Sequence, residues 1–149
     1  MRKHSTFILL VFNLILLFMS WLMSAYAYTR LPQKIPMWLN CCGQPVYLID
    51  KSPVFFIYPA IHTLFFLGFL FLTGVFPKRQ NPHKKDRIYF EYVYLALIFF
   101  SLVFIHITRS IIFLAHNIGD GVNKFYFIAL FAVLLGLIPY FRFRRKLRL

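Results

Sequence analysis

Apolar residues in this chain fall into four long runs, separated and flanked by segments that carry fifteen of its seventeen lysines and arginines and five of its eight prolines. A run of about 20 apolar residues is what a helix needs to cross a bilayer. The runs predict transmembrane helices over about 6–27, 53–76, 88–112 and 124–141, with a loop over 28–52 between the first two. Pro53 suits a first helical turn, Pro59 is expected to bend the start of the second helix, and Pro77 stops it. The segment Pro77–Arg87 (PKRQNPHKKDR) is too polar to enter lipid. Asn117–Lys124, with Gly119, Asp120 and Gly121, reads as a turn. His106, Arg109 and His116 blur the end of the third helix, which falls between Thr108 and Ala115. The fold class that follows is an all-α membrane protein of four helices, a single integral membrane domain over 1–149.

The first run imitates a secretory signal, with Arg2 and Lys3 before it and Ala25-Tyr26-Ala27 after it. It extends beyond the usual signal core of about 7–15 residues, and we read it as a retained helix. Asn13 is the polar exception inside it, expected to bond to a neighbouring helix.

Composition agrees with the blocks. Apolar residues make up 60% and charged residues 14%, against about 45–50% and 25% in soluble domains. The net charge of +13 raises nucleic acid as a partner. The cations lie at the ends of apolar runs, however, where anionic headgroups sit, and this argues for the lipid bilayer as partner and against nucleic acid. Their distribution also sets an orientation. Arg2 and Lys3, the Lys78–Arg87 turn and the Arg142–Arg148 tail fall on one side. Arg30, Lys34, Lys51 and Lys124 fall on the other, and Arg109 lies within a span. Both termini are therefore expected in the cytoplasm and the 28–52 loop outside, as in a multi-pass membrane protein.

The loop is the one segment that needs a specific explanation. In LPQKIPMWLNCCGQPVYLIDK, Pro32, Pro36 and Pro45 forbid a regular helix and Gly43 permits a reversal. Residues before proline favour extended backbone, so the segment is expected to lie flat on the mouth of the bundle. Ile35, Met37, Trp38 and Leu39 would dip into the interface, Asn40 and Gly43 would make a tight turn, and Lys51 would reach headgroups. The adjacent Cys41 and Cys42 are poorly placed to pair with each other and too few for a structural zinc site.

Leu31-Pro32, Ile35-Pro36, Asn40, Gly43, Lys51 and the early Pro59 resemble the signature of the bacterial membrane family called domain of unknown function 1648 (DUF1648), which includes a toxin-immunity protein. The resemblance covers about a third of the chain. Trp38 stands where the family has His, and Val46 where it has Asp. The resemblance implies a small multi-pass protein of the bacterial cytoplasmic (inner) membrane without known catalysis, acting in immunity or signal relay, with a peptide or another membrane protein as partner.

Ionisable groups inside a membrane invite a functional reading, because burying them costs several kcal/mol. His62 and His106 lie at similar expected depth, and two histidines facing across a bundle would suit haem. The competing reading makes them neutral side chains hydrogen-bonded to neighbours, with Arg109 snorkelling near an interface and Glu91 paired with Arg87. We expect no cofactor, no metal and no catalytic residues: the chain has no Gly-x-Ser-x-Gly, Cys-x-x-Cys or Walker motif and only four carboxylates. The alternative function is a small membrane subunit of a redox or transport complex, haem-binding through His62 and His106.

Overall fold

The computed structural model describes residues 3–40, 44–73, 84–118 and 124–146. It is mostly helical: α1 (Lys3–Arg30), α2 (Ile57–Leu72), α3 (Lys84–Ala115) and α4 (Lys124–Lys146), with strands β1 (Lys34–Leu39) and β2 (Pro45–Asp50) and a 3₁₀ turn over Pro53–Phe56 before α2. Three stretches, Thr6–Arg30, Pro53–Leu72 and Tyr89–Ala115, are long and apolar enough to cross a membrane, and Phe125–Tyr140 in α4 is a shorter apolar stretch. These helices are compatible with a multi-pass membrane protein.

Helix ends follow local chemistry. α1 stops one residue before Leu31, which Pro32 keeps out of the helical region. Pro53 begins the 3₁₀ turn, and Pro59 lies in the first turn of α2, where a missing N–H leaves little unsatisfied. At the blurred end of α3 the helix runs through to Ala115. Asn117 then adopts φ 57°, its N–H bonds to the carbonyl of Leu114, and the N–H of Ile118 bonds back to Phe113 at 2.8 Å. That is a Schellman stop, with asparagine in the left-handed position usually filled by glycine.

The centre of the bundle is a seam between α1 and α3, which run parallel. Buried positions on α1 are Asn13, Ser20, Ser24 and Ala27, with Leu31 just beyond it; on α3 they include Tyr94, Leu97, Ser101, Thr108, Ile111 and Ala115. Spacings of three and four repeat along both helices, as required for one face to stay in contact. Small side chains dominate the α1 stripe and let the backbones approach, which drives helix association in lipid where no hydrophobic effect is available. α2 runs antiparallel to both, burying Tyr58, His62, Phe66 and Leu70. One core cluster, Phe66, Leu70, Tyr94 and Leu97, sits near the starts of α1 and α3. The other, Leu31, Ile35, Phe55, Tyr58, Ile111 and Ala115, closes the end where the hairpin lies. α4 packs on α3 outside this arrangement.

The loop between α1 and α2 is extended, as its prolines require, but it is also paired, which the all-α expectation did not include. β1 and β2 form an antiparallel hairpin with Lys34 opposite Asp50, Ile35 opposite Ile49 and Pro36 opposite Leu48. The N–H of Lys51 bonds to the carbonyl of Gln33 at 2.6 Å. By alternation, Pro36 then occupies a non-hydrogen-bonded pair, so its missing N–H removes nothing from the ladder.

Candidate functional site: the hairpin and the buried polar seam

The hairpin is fixed to the helices through one strand. Ile35 and Pro36 of β1 are fully buried, and Ile35 packs in the cluster with Leu31, Phe55 and Ile111. Burial on this scale contributes about 1.5–3 kcal/mol for the isoleucine alone. A register shift follows Pro36, and the Met37 carbonyl there accepts a hydrogen bond from the Tyr58 hydroxyl of α2. Bulges commonly re-aim a group in this manner.

β2 differs from β1. Val46 and Leu48 are each 57% exposed and Tyr47 is 51% exposed, while Ile49 alone is partly buried. The strand therefore presents consecutive apolar side chains on a support held by β1.

Lys51 belongs to this support rather than reaching outward as expected. Its Nζ donates to the carbonyls of Leu31 at 3.1 Å and Thr29 at 3.4 Å and lies 5.2 Å from the centre of the Tyr28 ring. A cation there satisfies carbonyls left over at the α1 C-terminus and faces the negative end of its dipole. Asn40 and Gln44 bracket the turn: the N–H of Asn40 bonds to the Gln44 carbonyl, and the N–H of Gln44 bonds to Asn40 Oδ1, both at 2.9 Å. Cys41, Cys42 and Gly43 lie outside the described residues. Trp38 sits in β1 opposite Tyr47.

The second polar feature lies within the bundle. Asn13 Nδ2 donates to the carbonyl of Leu9 at 2.9 Å and across the seam to that of Tyr94 at 3.1 Å. About two turns further along both helices, Ser20 comes level with Ser101. His62 Nε2 lies 2.9 Å from Ser101 Oγ, and its ring stacks on Phe104 at 5.4 Å. Ser20, His62 and Ser101 are all fully buried, so three helices each bring a polar side chain to one level. Asn13 Oδ1, Ser20 Oγ and His62 Nδ1 are buried with no hydrogen-bond partner among the described residues. Most other hydroxyls bond back to their own helix, as Ser24 does to the Ser20 carbonyl and Thr108 to that of Phe104, each at 2.8 Å.

His106 has a different setting from His62. It stacks on Tyr126 of α4 at 3.8 Å and meets the edge of Phe127, and the Tyr126 hydroxyl bonds to the Leu102 carbonyl at 3.3 Å. The structure thus brings His62 to Ser101 and Phe104, and His106 to α4, rather than turning the two imidazoles toward each other. Among the described residues no group of three metal-ligating side chains occurs. Arg109 is exposed, its guanidinium 4.8 Å from the Phe113 ring centre. Glu91 is buried; the Arg87 side chain expected to pair with it lies outside the described residues. Sequence reasoning missed the serines, Ser20 and Ser101, because a hydroxyl barely interrupts an apolar run. Their spacing from Asn13 and Tyr94 is the signal that would have found them.

Compared with known proteins, the chain matches no family model, no curated protein and no solved structure.

Proposed function

We propose that this chain is a non-enzymatic multi-pass protein of the bacterial cytoplasmic membrane, similar to the DUF1648 immunity-like type, in which the hairpin recognises an envelope-directed peptide. The observation that carries this reading is the division of labour in the hairpin. β1 is locked in the core by Ile35, while β2 holds Val46, Tyr47 and Leu48 in solvent-accessible positions. A surface held rigid before binding loses little entropy when a partner arrives. The distribution of lysine and arginine supports an outward-facing hairpin with both termini in the cytoplasm.

The test is survival of cells with and without the chain when challenged with secreted, membrane-active peptides. Protection should be present with the intact chain. It should fall about tenfold, equivalent to roughly 1.4 kcal/mol, in Trp38→Ala and in the Val46→Ser, Leu48→Ser pair, at unchanged protein level in the membrane. Full protection by a chain carrying these three substitutions together removes the hairpin from the function.

A further inference from the structure

Helix α4 ends in four cations within five residues, Arg142–Lys146. The apolar stretch Phe125–Tyr140 spans about 24 Å at 1.5 Å per residue, short of the roughly 30 Å hydrocarbon thickness. Helix α4 nevertheless continues to Lys146, through Arg142, Arg144, Arg145 and Lys146. α4 meets α3 through Tyr126 and Phe127 near its start. Further along, Phe131, Val133, Leu135 and Phe143 are exposed, Phe143 by 65%, and so is Arg142.

The charge in this helix is all of one sign. α4 contains no acidic residue, and the whole chain has four Asp and Glu against seventeen Lys and Arg. A short apolar span pulls its flanking residues toward the boundary between tails and headgroups, where arginines extend to phosphate and aromatic rings are favoured. We infer that Tyr140–Lys146 is a binding site for anionic phospholipid headgroups, which hold the basic end of a helix whose other end is held by α3. This rests on the reading of the chain as membrane-embedded and names the lipid class it engages. Phosphate oxygens supply the acceptors that the guanidinium forks require.

The experiment uses the purified full chain in mild detergent, offered equal amounts of phosphatidylglycerol and phosphatidylcholine, with bound lipid counted by native mass spectrometry. Phosphatidylglycerol should be retained at least fivefold over phosphatidylcholine, in keeping with a contribution of about 1 kcal/mol per cation near an anionic surface. Replacing Arg142, Arg144, Arg145 and Lys146 together by Gln should abolish that preference. Arg→Lys at the three arginines should keep most of it, and so should Gln at Lys84 and Lys85 of the other basic segment. Inorganic phosphate in excess should not displace the lipid. Equal retention of the two lipids, an unchanged preference in the Gln variant, or displacement by free phosphate each overturns the assignment. Resistance of the wild-type chain to alkaline extraction from membranes is measured in parallel. Its loss overturns the membrane reading itself, whereas retained resistance with equal lipid binding overturns only the headgroup site.

Discussion

His62 Nε2 and Ser101 Oγ, 2.9 Å apart, join the second helix to the third where both are fully buried. One hydrogen bond in such a setting contributes about 0.6 kcal/mol on average and up to about 1.7. The stacking of His62 on Phe104 adds packing that Ser101 does not share. His62→Ala should therefore destabilise the bundle by about 1–3 kcal/mol and Ser101→Ala by less, with the double variant less destabilised than the sum. Unfolding in detergent, arranged as a double-mutant cycle, measures this. A Soret band in the wild-type spectrum, lost in both His62→Ala and His106→Ala, would favour a shared cofactor over two separate contacts.

Asn13 offers a test of its cross-seam bond against the space its side chain fills. Asn13→Ala loses the bond to Tyr94 and leaves a gap, and should lower stability by about 1 kcal/mol. Asn13→Leu loses the same bond and the same unpartnered Oδ1 but fills the space, so it should be close to neutral. A leucine variant much less stable than the alanine variant would mean that this close seam does not tolerate the branched side chain.

Close approach along the seam requires small residues on α1 there. Ser24→Leu, at a fully buried α1 position, should cost about 1–3 kcal/mol through overpacking. Gly68→Ala, where an added Cβ meets nothing within 4 Å, should be neutral or mildly stabilising because alanine favours the helix. Comparing melting temperatures of the two variants checks the placement of the helix faces.

Lys51 is predicted to hold the hairpin without holding the bundle. Lys51→Met should weaken the closure by about 0.3–1 kcal/mol, the usual size of a cation at a helix C-terminus. It should raise protease cleavage in the hairpin severalfold while leaving global unfolding nearly unchanged. Lys51→Arg should behave like the parent chain.

Reporters fused at residue 1, inserted near Asn81 and fused at Leu149 should all report one side of the membrane, and a reporter at Cys41–Gly43 the other. Agreement between the hairpin reporter and the rest would remove the four-span arrangement with both termini in the cytoplasm.

The helices were legible because each depends on a local apolar run, about 20 residues in three of them and shorter in α4, bounded by Pro32, Pro53 or the Asn117 turn. Extended backbone around Pro36 was legible for the same reason. Its pairing with Leu48 was not, because register depends on where Ile35 docks and on a bulge after Pro36, neither of which repeats in the sequence. Lys51 misled because a lysine beside an apolar run commonly points to headgroups, and only the fold brings the end of α1 within its reach. The histidines misled differently. Equal depth in two helices says nothing about azimuth, and His62 and His106 meet different neighbours around α3.

The parallel pairing of α1 with α3 imposes an order on biosynthesis. The partners in the Asn13–Tyr94 hydrogen bond are 81 residues apart, so the ribosome must complete the hairpin, α2 and the start of α3 before α1 can find its mate. During that interval Asn13, Ser20 and Ser24 of the first helix lack the α3 surface that buries them in the folded chain. α1 therefore waits, with these polar groups uncovered, until the next two helices have been made. Slowing elongation between 31 and 94 would expose it to membrane proteases before the native seam exists.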